Sequence, residues 1–164
     1  MKKFFFTLLM GGLVVSCSND MATGNEDSTT NAETSNENTD IKATYETNAE
    51  NLKKLLNTWE EQDVEGALSL MADDFTEVGT GMGEPDRTKE EWKANMEMMM
   101  GVMKPTLKQA IFLPGVDTTS LAMDGSVRYY GVWNFASGEK NEDLKVYGSA
   151  DFNDEGMISS LTHY

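Results

Sequence analysis

Two residues of this chain have the chemistry for proton transfer. Glu77 lies in the run Phe75 to Val78, and His163 is the single histidine. A carboxylate held in an apolar cavity has its pKa raised and serves as acid or base near neutral pH, a range in which imidazole also titrates. Side chains meeting at about 2.6–3.2 Å, or through one water, would make a base and its partner. The competing reading makes Glu77 a partly solvated rim residue or a charge guarding a sheet edge, and His163 a structural or exposed residue near the chain end.

Met96, Met99, Met100 and Met103 follow i, i+3, i+4, i+7 spacing. Thioethers can bind Cu(I), but unbranched, adaptable methionines also suit a core or the lining of an apolar pocket, which explains the same stripe without metal. One histidine with no second ligand nearby argues against any metal site. Gly79, Gly81 and Gly83 are spaced G-x-G-x-G with no strand-loop-helix unit around them, so no phosphate cradle and no cofactor are expected. Met96 and Met100, with Trp59, Trp92, Tyr129 and Trp133, are the residues expected to line a pocket. Plain core packing is the alternative for each.

Cys17 is the only cysteine, which excludes an intramolecular disulfide, a CxxC pair and a thiolate zinc site. Lys2 and Lys3 precede an apolar stretch from Phe4 to Val15, too short for the ~20 residues that span a bilayer as a helix. Val14-Val15-Ser16-Cys17 resembles a lipobox, so residues 1–16 are read as a cleaved signal and Cys17 as the lipidated new N-terminus. An uncleaved membrane helix is the alternative. Two or three acyl chains would hold the protein stably, and Ser18 after the cysteine favours the outer membrane of a bacterial cell envelope, with the leaflet open. Residues 17–40 are rich in Asn, Thr, Ser, Glu and Asp, and read as a disordered acidic tether holding the domain ~25 Å from the membrane.

The net charge of -15 repels nucleic-acid phosphates and anionic headgroups, which need clustered Lys and Arg. Nucleic acid is therefore excluded as a partner, and the charge reads as a solvated acidic surface.

To act together, the candidate residues must be set by elements. Ile41, Tyr45, Asn48, Leu52, Leu55, Leu56 and Trp59 recur at three- and four-residue steps on one face of a helix, with Glu46, Glu50, Lys53, Lys54 and Glu60 on the other. Asp63 caps a short second helix, Val64 to Met71. Thr88 and Glu91 have the form of a capping box that opens a third helix, running to about Met103 and stopped by Pro105. Phe75 to Val78 reads as a short strand. Leu107 to Leu113 reads as another, followed by a turn at Pro114-Gly115, an edge strand or strand continuation at Thr118 to Met123, and a turn at Asp124-Gly125. Val127, Tyr129, Gly131, Trp133 and Phe135 then share one face of a long antiparallel hairpin whose second arm carries Leu144, Val146, Gly148, Ala150 and Phe152. Met157 to Tyr164 is a last strand. Helices followed by antiparallel strands imply an α+β domain over residues 41–164, with the helices packed on one sheet face.

Trp59 to Asp63, the run Met71-Ala72-Asp73-Asp74-Phe75 and the closing Asp154-Glu155-Gly156-Met157-Ile158 resemble motifs of the SnoaL-like branch of the nuclear transport factor 2 (NTF2)-like superfamily. The likeness covers roughly Asn48 to Tyr164. It implies a cone-shaped, cystatin-like roll with three N-terminal helices packed on a curved antiparallel sheet, a fold that hosts isomerases, cyclases, dehydratases and binding modules alike. In the ketosteroid isomerases of this superfamily the base position falls here on Gly79, the helix tyrosine on Leu55 and the late aspartate on or near Gly148, so that chemistry is not matched. In the cone, Gly79, Glu77 and Phe75 face inward, which adds Phe75 to the expected lining and lets Glu77 meet His163 across the cavity.

Three readings follow. The domain binds a small apolar molecule in the cone; or it is an isomerase, lyase or cyclase using Glu77 and His163; or it is an interaction module that forms a homodimer through its open sheet face, with Tyr130, Val132 and Tyr147 on the outward parity.

Overall fold

The computed structural model describes residues 30–164, with side chains from Asp40 onward; the expected signal and Cys17 lie outside the described residues. The order of elements is α1 (Thr30–Glu61), α2 (Val64–Ser69), β1 (Met71–Val78), β2 (Arg87–Thr88), α3 (Lys89–Val102), β3 (Lys104–Val116), β4 (Met123–Ser137), β5 (Lys140–Phe152) and β6 (Ile158–His163).

The apolar stripe of α1 is the face it buries. Ala49, Leu52, Leu55 and Leu56 are sealed in the core, with Tyr45 and Trp59 packed against them. Polar groups on the same helix are satisfied by the sheet. Buried Asn48 donates to the Gly125 carbonyl at 2.9 Å, the Tyr45 hydroxyl to the Phe112 carbonyl at 3.1 Å, and the Glu60 carboxylate accepts the Leu107 N–H at 2.7 Å. These bonds fix the angle at which the helix lies across β3 and β4. The helix starts at Thr30, inside the stretch read as tether, and not at Ile41. Extending a helix that is already nucleated and docked adds one bond per residue fixed, so a polar sequence can follow its apolar neighbour.

The capping box is present: the Thr88 side chain accepts the Glu91 N–H and the Glu91 carboxylate accepts the Thr88 N–H. Asp63 caps α2 by accepting the Gly66 N–H. Together α1, α2 and α3 cover one face of a curved six-stranded sheet of order β2-β1-β6-β5-β4-β3. Pairing is antiparallel except between β1 and β6, which run parallel. Val127, Tyr129, Trp133, Ala150, Ile158 and Leu161 form the inner face of the core. Among the described residues no helix is long and apolar enough to cross a membrane.

Several strand boundaries differ from expectation. Pro114-Gly115 is not a turn: β3 runs through it to Val116, with a register shift between Pro114 and Val116. As a sheet edge, β3 tolerates a proline that cannot donate. The turn lies at Asp117 to Ala122, where the Asp117 carboxylate accepts the N–H groups of Thr119 and Ser120, so Thr118 to Ala122 are not strand and Met123 is the first residue of β4. Asp124-Gly125 lies within the start of β4, where Gly125 takes φ +81°, a conformation that glycine adopts without penalty. The strand expected from Phe75 begins at Met71, and the second helix stops at Ser69.

Candidate functional site

The parallel pairing of β1 with β6 puts Glu77 opposite Leu161 and Val78 opposite Thr162. His163 lies two residues beyond Leu161 on the same sheet face, and so stands diagonally across from Glu77. His163 Nδ1 is 3.6 Å from Glu77 Oε1, an ion-pair distance longer than a direct hydrogen bond. The other carboxylate oxygen is taken by a residue the sequence reading did not single out. Arg87, paired with Glu77 across β1 and β2, donates from Nη1 to Glu77 Oε2 at 2.6 Å and from Nη2 to Glu84 Oε1 at 2.5 Å.

This arrangement corrects the expected protonation of Glu77. The residue is only 8% exposed, and burial alone would raise its pKa; the adjacent His163 and the Arg87 guanidinium outweigh burial and hold the carboxyl below its ordinary value. Glu77 is therefore an ionised carboxylate at neutral pH, a poor general acid and a strong local anion.

His163 owes its setting to a missing side chain. Tyr129, Gly148 and His163 occupy one cross-strand row over β4, β5 and β6. A Cβ on Gly148 would stand 2.3 Å from Tyr129 Cε1 and 3.0 Å from His163 Cδ2. Without it, the two rings meet edge to face above the strand, with centroids 5.9 Å apart. Burial pushes the Tyr129 hydroxyl pKa upward, so it stays a neutral phenol.

Beside this row opens a cavity of ≈ 200 Å³, walled by Leu56 and Trp59 of α1, Met99 of α3, Pro105 of β3, Tyr129, Trp133 and Phe135 of β4, Val146 of β5 and His163 of β6. Of the expected lining residues, Trp59, Tyr129 and Trp133 are on its wall. Phe75, Trp92, Met96 and Met100 are not. Trp92 meets Trp59 and Phe75 edge to face, at 5.8 and 6.1 Å between centroids, and these rings fill the space where α3 packs on β1. Helical spacing turns Met96 into that core with Trp92, leaves Met100 packed against its margin, and brings Met99 to the cavity.

Glu77 is not part of the cavity wall; it stands behind His163, which touches both. Among the described residues no group of three or more His, Cys, Asp or Glu is placed to hold a metal ion. Arg87 was legible only through pairing: the glycine-rich segment from Gly79 to Asp86 is a strand connection, and reading it so would have set Arg87 opposite Glu77. Leu56, Phe135 and Val146 already stood on inward faces of their elements, but nothing in one sequence distinguishes cavity wall from solid core.

No family model matches the chain, and neither does any curated protein. Solved structures do. A protein from Xanthomonas campestris pv. campestris assigned as a polyketide cyclase superposes with a TM-score of 0.61 at 13% identity, covering 74% of this chain and 91% of its own. An LEH-like epoxide hydrolase of M. tuberculosis gives 0.55 at 16% identity, covering 72% and 81%. A cystatin fold protein from Novosphingobium aromaticivorans gives 0.53 at 17% identity, covering 71% and 97%.

Proposed function

We propose that this chain, built on the NTF2-like, cystatin-like roll that its solved neighbours exemplify, is a lipid-anchored binding domain for a small, largely apolar molecule held in the cone cavity. The observation that carries the reading is the cavity itself: ≈ 200 Å³ walled by aromatic and aliphatic side chains, with one imidazole among them. An apolar hole of about 150 Å³ in another protein stays dry and takes up benzene, so a molecule of one or two rings matches this space. The lipid anchor is supported by Lys2, Lys3, the apolar run and Cys17, and makes the cell envelope, with the outer membrane favoured, the place where such a ligand would be met.

Native mass spectrometry of the full chain, purified from a bacterial host, tests the reading. A co-purified small molecule lost on Trp133→Ala would support it, since that substitution opens the wall. An empty protein that also fails to take up benzene or indole would overturn it.

The 3.6 Å contact between His163 and Glu77 favours a second reading, in which the pair moves a proton on a bound substrate as part of an isomerase, lyase or cyclase reaction. In that case His163 touches the substrate and the ionised Glu77 orients the imidazole from behind.

A further inference from the structure

We propose that the cavity selects a small apolar weak acid, a phenol or an enol, and that His163 Nε2 receives its proton. The inference rests on the cavity being a ligand site and adds the chemical class of the ligand.

The imidazole has different surroundings on each side. β1 presents Glu77, whose Oε1 lies 3.6 Å from Nδ1. Beyond Glu77, β2 presents Arg87, and the preceding segment presents Glu84. β4 offers the face-to-edge contact of Tyr129, and β5 offers only Gly148. The cavity walls from α1 and α3 are Leu56, Trp59 and Met99, with no charge among them. The charged group in contact with the ring, Glu77, and through it Arg87 and Glu84, thus stand on its Nδ1 side.

A carboxylate facing Nδ1 favours the tautomer with the proton on that nitrogen, because N–H toward an anion is attractive and a lone pair toward it is repulsive. Nε2 then carries the lone pair and is the nitrogen left for the cavity. In a wall that otherwise offers hydrocarbon and aromatic faces, a hydrogen-bond acceptor is best satisfied by a ligand that brings an O–H.

The local charge balance favours a further step. Arg87 at 2.6 Å compensates Glu77 only in part, since its second nitrogen is shared with Glu84. When the ligand O–H bond breaks and Nε2–H forms, the new imidazolium lies between a carboxylate behind it and the ligand anion in front. No electron is transferred and no other reactant is needed. A purely apolar ligand of the same shape gains none of this, so the site distinguishes acids from their neutral isosteres.

The probes are 4-nitrophenol, 4-nitroanisole and nitrobenzene, titrated into the full chain on the acid side of the phenol's own pKa. The two neutral probes bracket the phenol in size, and the phenolate has its own visible absorbance. Expected is binding of 4-nitrophenol about tenfold tighter than either neutral probe, with its apparent pKa lowered by about one unit on the protein. His163→Phe should remove both effects, so that 4-nitrophenol binds no more tightly than the neutral probes do to the same variant and keeps its own pKa, and His163→Gln serves the same purpose if the larger ring disturbs packing. Equal binding of all three probes, or a phenolate shift that survives both substitutions, would overturn the inference and leave the cavity reading intact. Binding of none of them would remove the cavity reading and the inference with it.

Discussion

Arg87 and Gly148 decide what Glu77 and His163 can be. His163 and the Arg87 guanidinium together hold as an anion a carboxyl that burial alone would have kept protonated to higher pH, and the absent side chain of Gly148 leaves room for the histidine ring against Tyr129. Because the Glu77 pKa in the folded chain is depressed, its contribution to stability is fully present above the unfolded value and is lost as pH falls through the folded one. Arg87→Met should therefore cost about 1–3 kcal/mol in urea denaturation at pH 7, a difference that shrinks below about pH 4 as the carboxylate is protonated in both proteins. An offset that stays constant with pH would mean that Arg87 acts through packing of its stem. Gly148→Ala should destabilise the fold by about 1–3 kcal/mol, because the nearest neighbours of the new methyl are a ring held on both sides and a backbone carbonyl. The same variant should shift the His163 imidazole resonances in an NMR spectrum.

Element ends set the positions of these side chains more than element interiors do. α3 begins immediately after the two-residue strand that carries Arg87, so the cap at Thr88 fixes the helix and the strand together. Thr88→Ala should cost about 1 kcal/mol by thermal or urea unfolding, the usual worth of such a cap. It should also loosen Arg87, visible as faster amide exchange at Glu77 and Arg87, whereas a cap acting on the helix alone would leave those amides unchanged. At the other end of the molecule, Asn48 and Glu60 bond α1 to β4 and β3 through backbone groups, and so hold Leu56 and Trp59 at the cavity wall between them.

The outer face of the sheet carries a row that has no role in the cavity. Ile111 pairs with Tyr130, Tyr130 with Tyr147, and Tyr147 exchanges backbone hydrogen bonds with Tyr164. The Tyr130 and Tyr147 rings are 4.8 Å apart, and those of Tyr147 and Tyr164 5.5 Å. Ile111, Tyr130 and Tyr164 remain exposed. An exposed apolar and aromatic band across three strands and the residue that follows β6 suits a self-complementary contact about a twofold axis, the homodimer expected from the outward residues. If the band serves that purpose, sedimentation velocity should show a dimer that Tyr147→Lys converts to a monomer without loss of ligand binding. A wild-type monomer at all concentrations would remove the dimer from consideration.

The face of α1 from Ile41, the capping box at Thr88 and the alternation of Val127, Tyr129 and Trp133 with Tyr130 were legible in the sequence because each is a local periodicity, and burial follows periodicity once a core exists. The α+β class followed from their order along the chain, whereas the roll was implied only by the resemblance of the motifs at Trp59 to Asp63, Met71 to Phe75 and Asp154 to Ile158. Turn chemistry was less reliable: Pro114-Gly115 looks like a turn by composition, but the edge position of β3, known only from the assembled sheet, makes it strand. Whether an inward aromatic lines a cavity or fills a core is not written in its own neighbourhood, as Trp92 and Met96 on one side and Met99 and Phe135 on the other make plain. The charge state of Glu77 likewise depended on His163 and Arg87, partners brought beside it by strand pairing. Periodicity is a property of a few consecutive residues, whereas a cavity and a pKa are set by side chains that meet only after the sheet has closed over the helices.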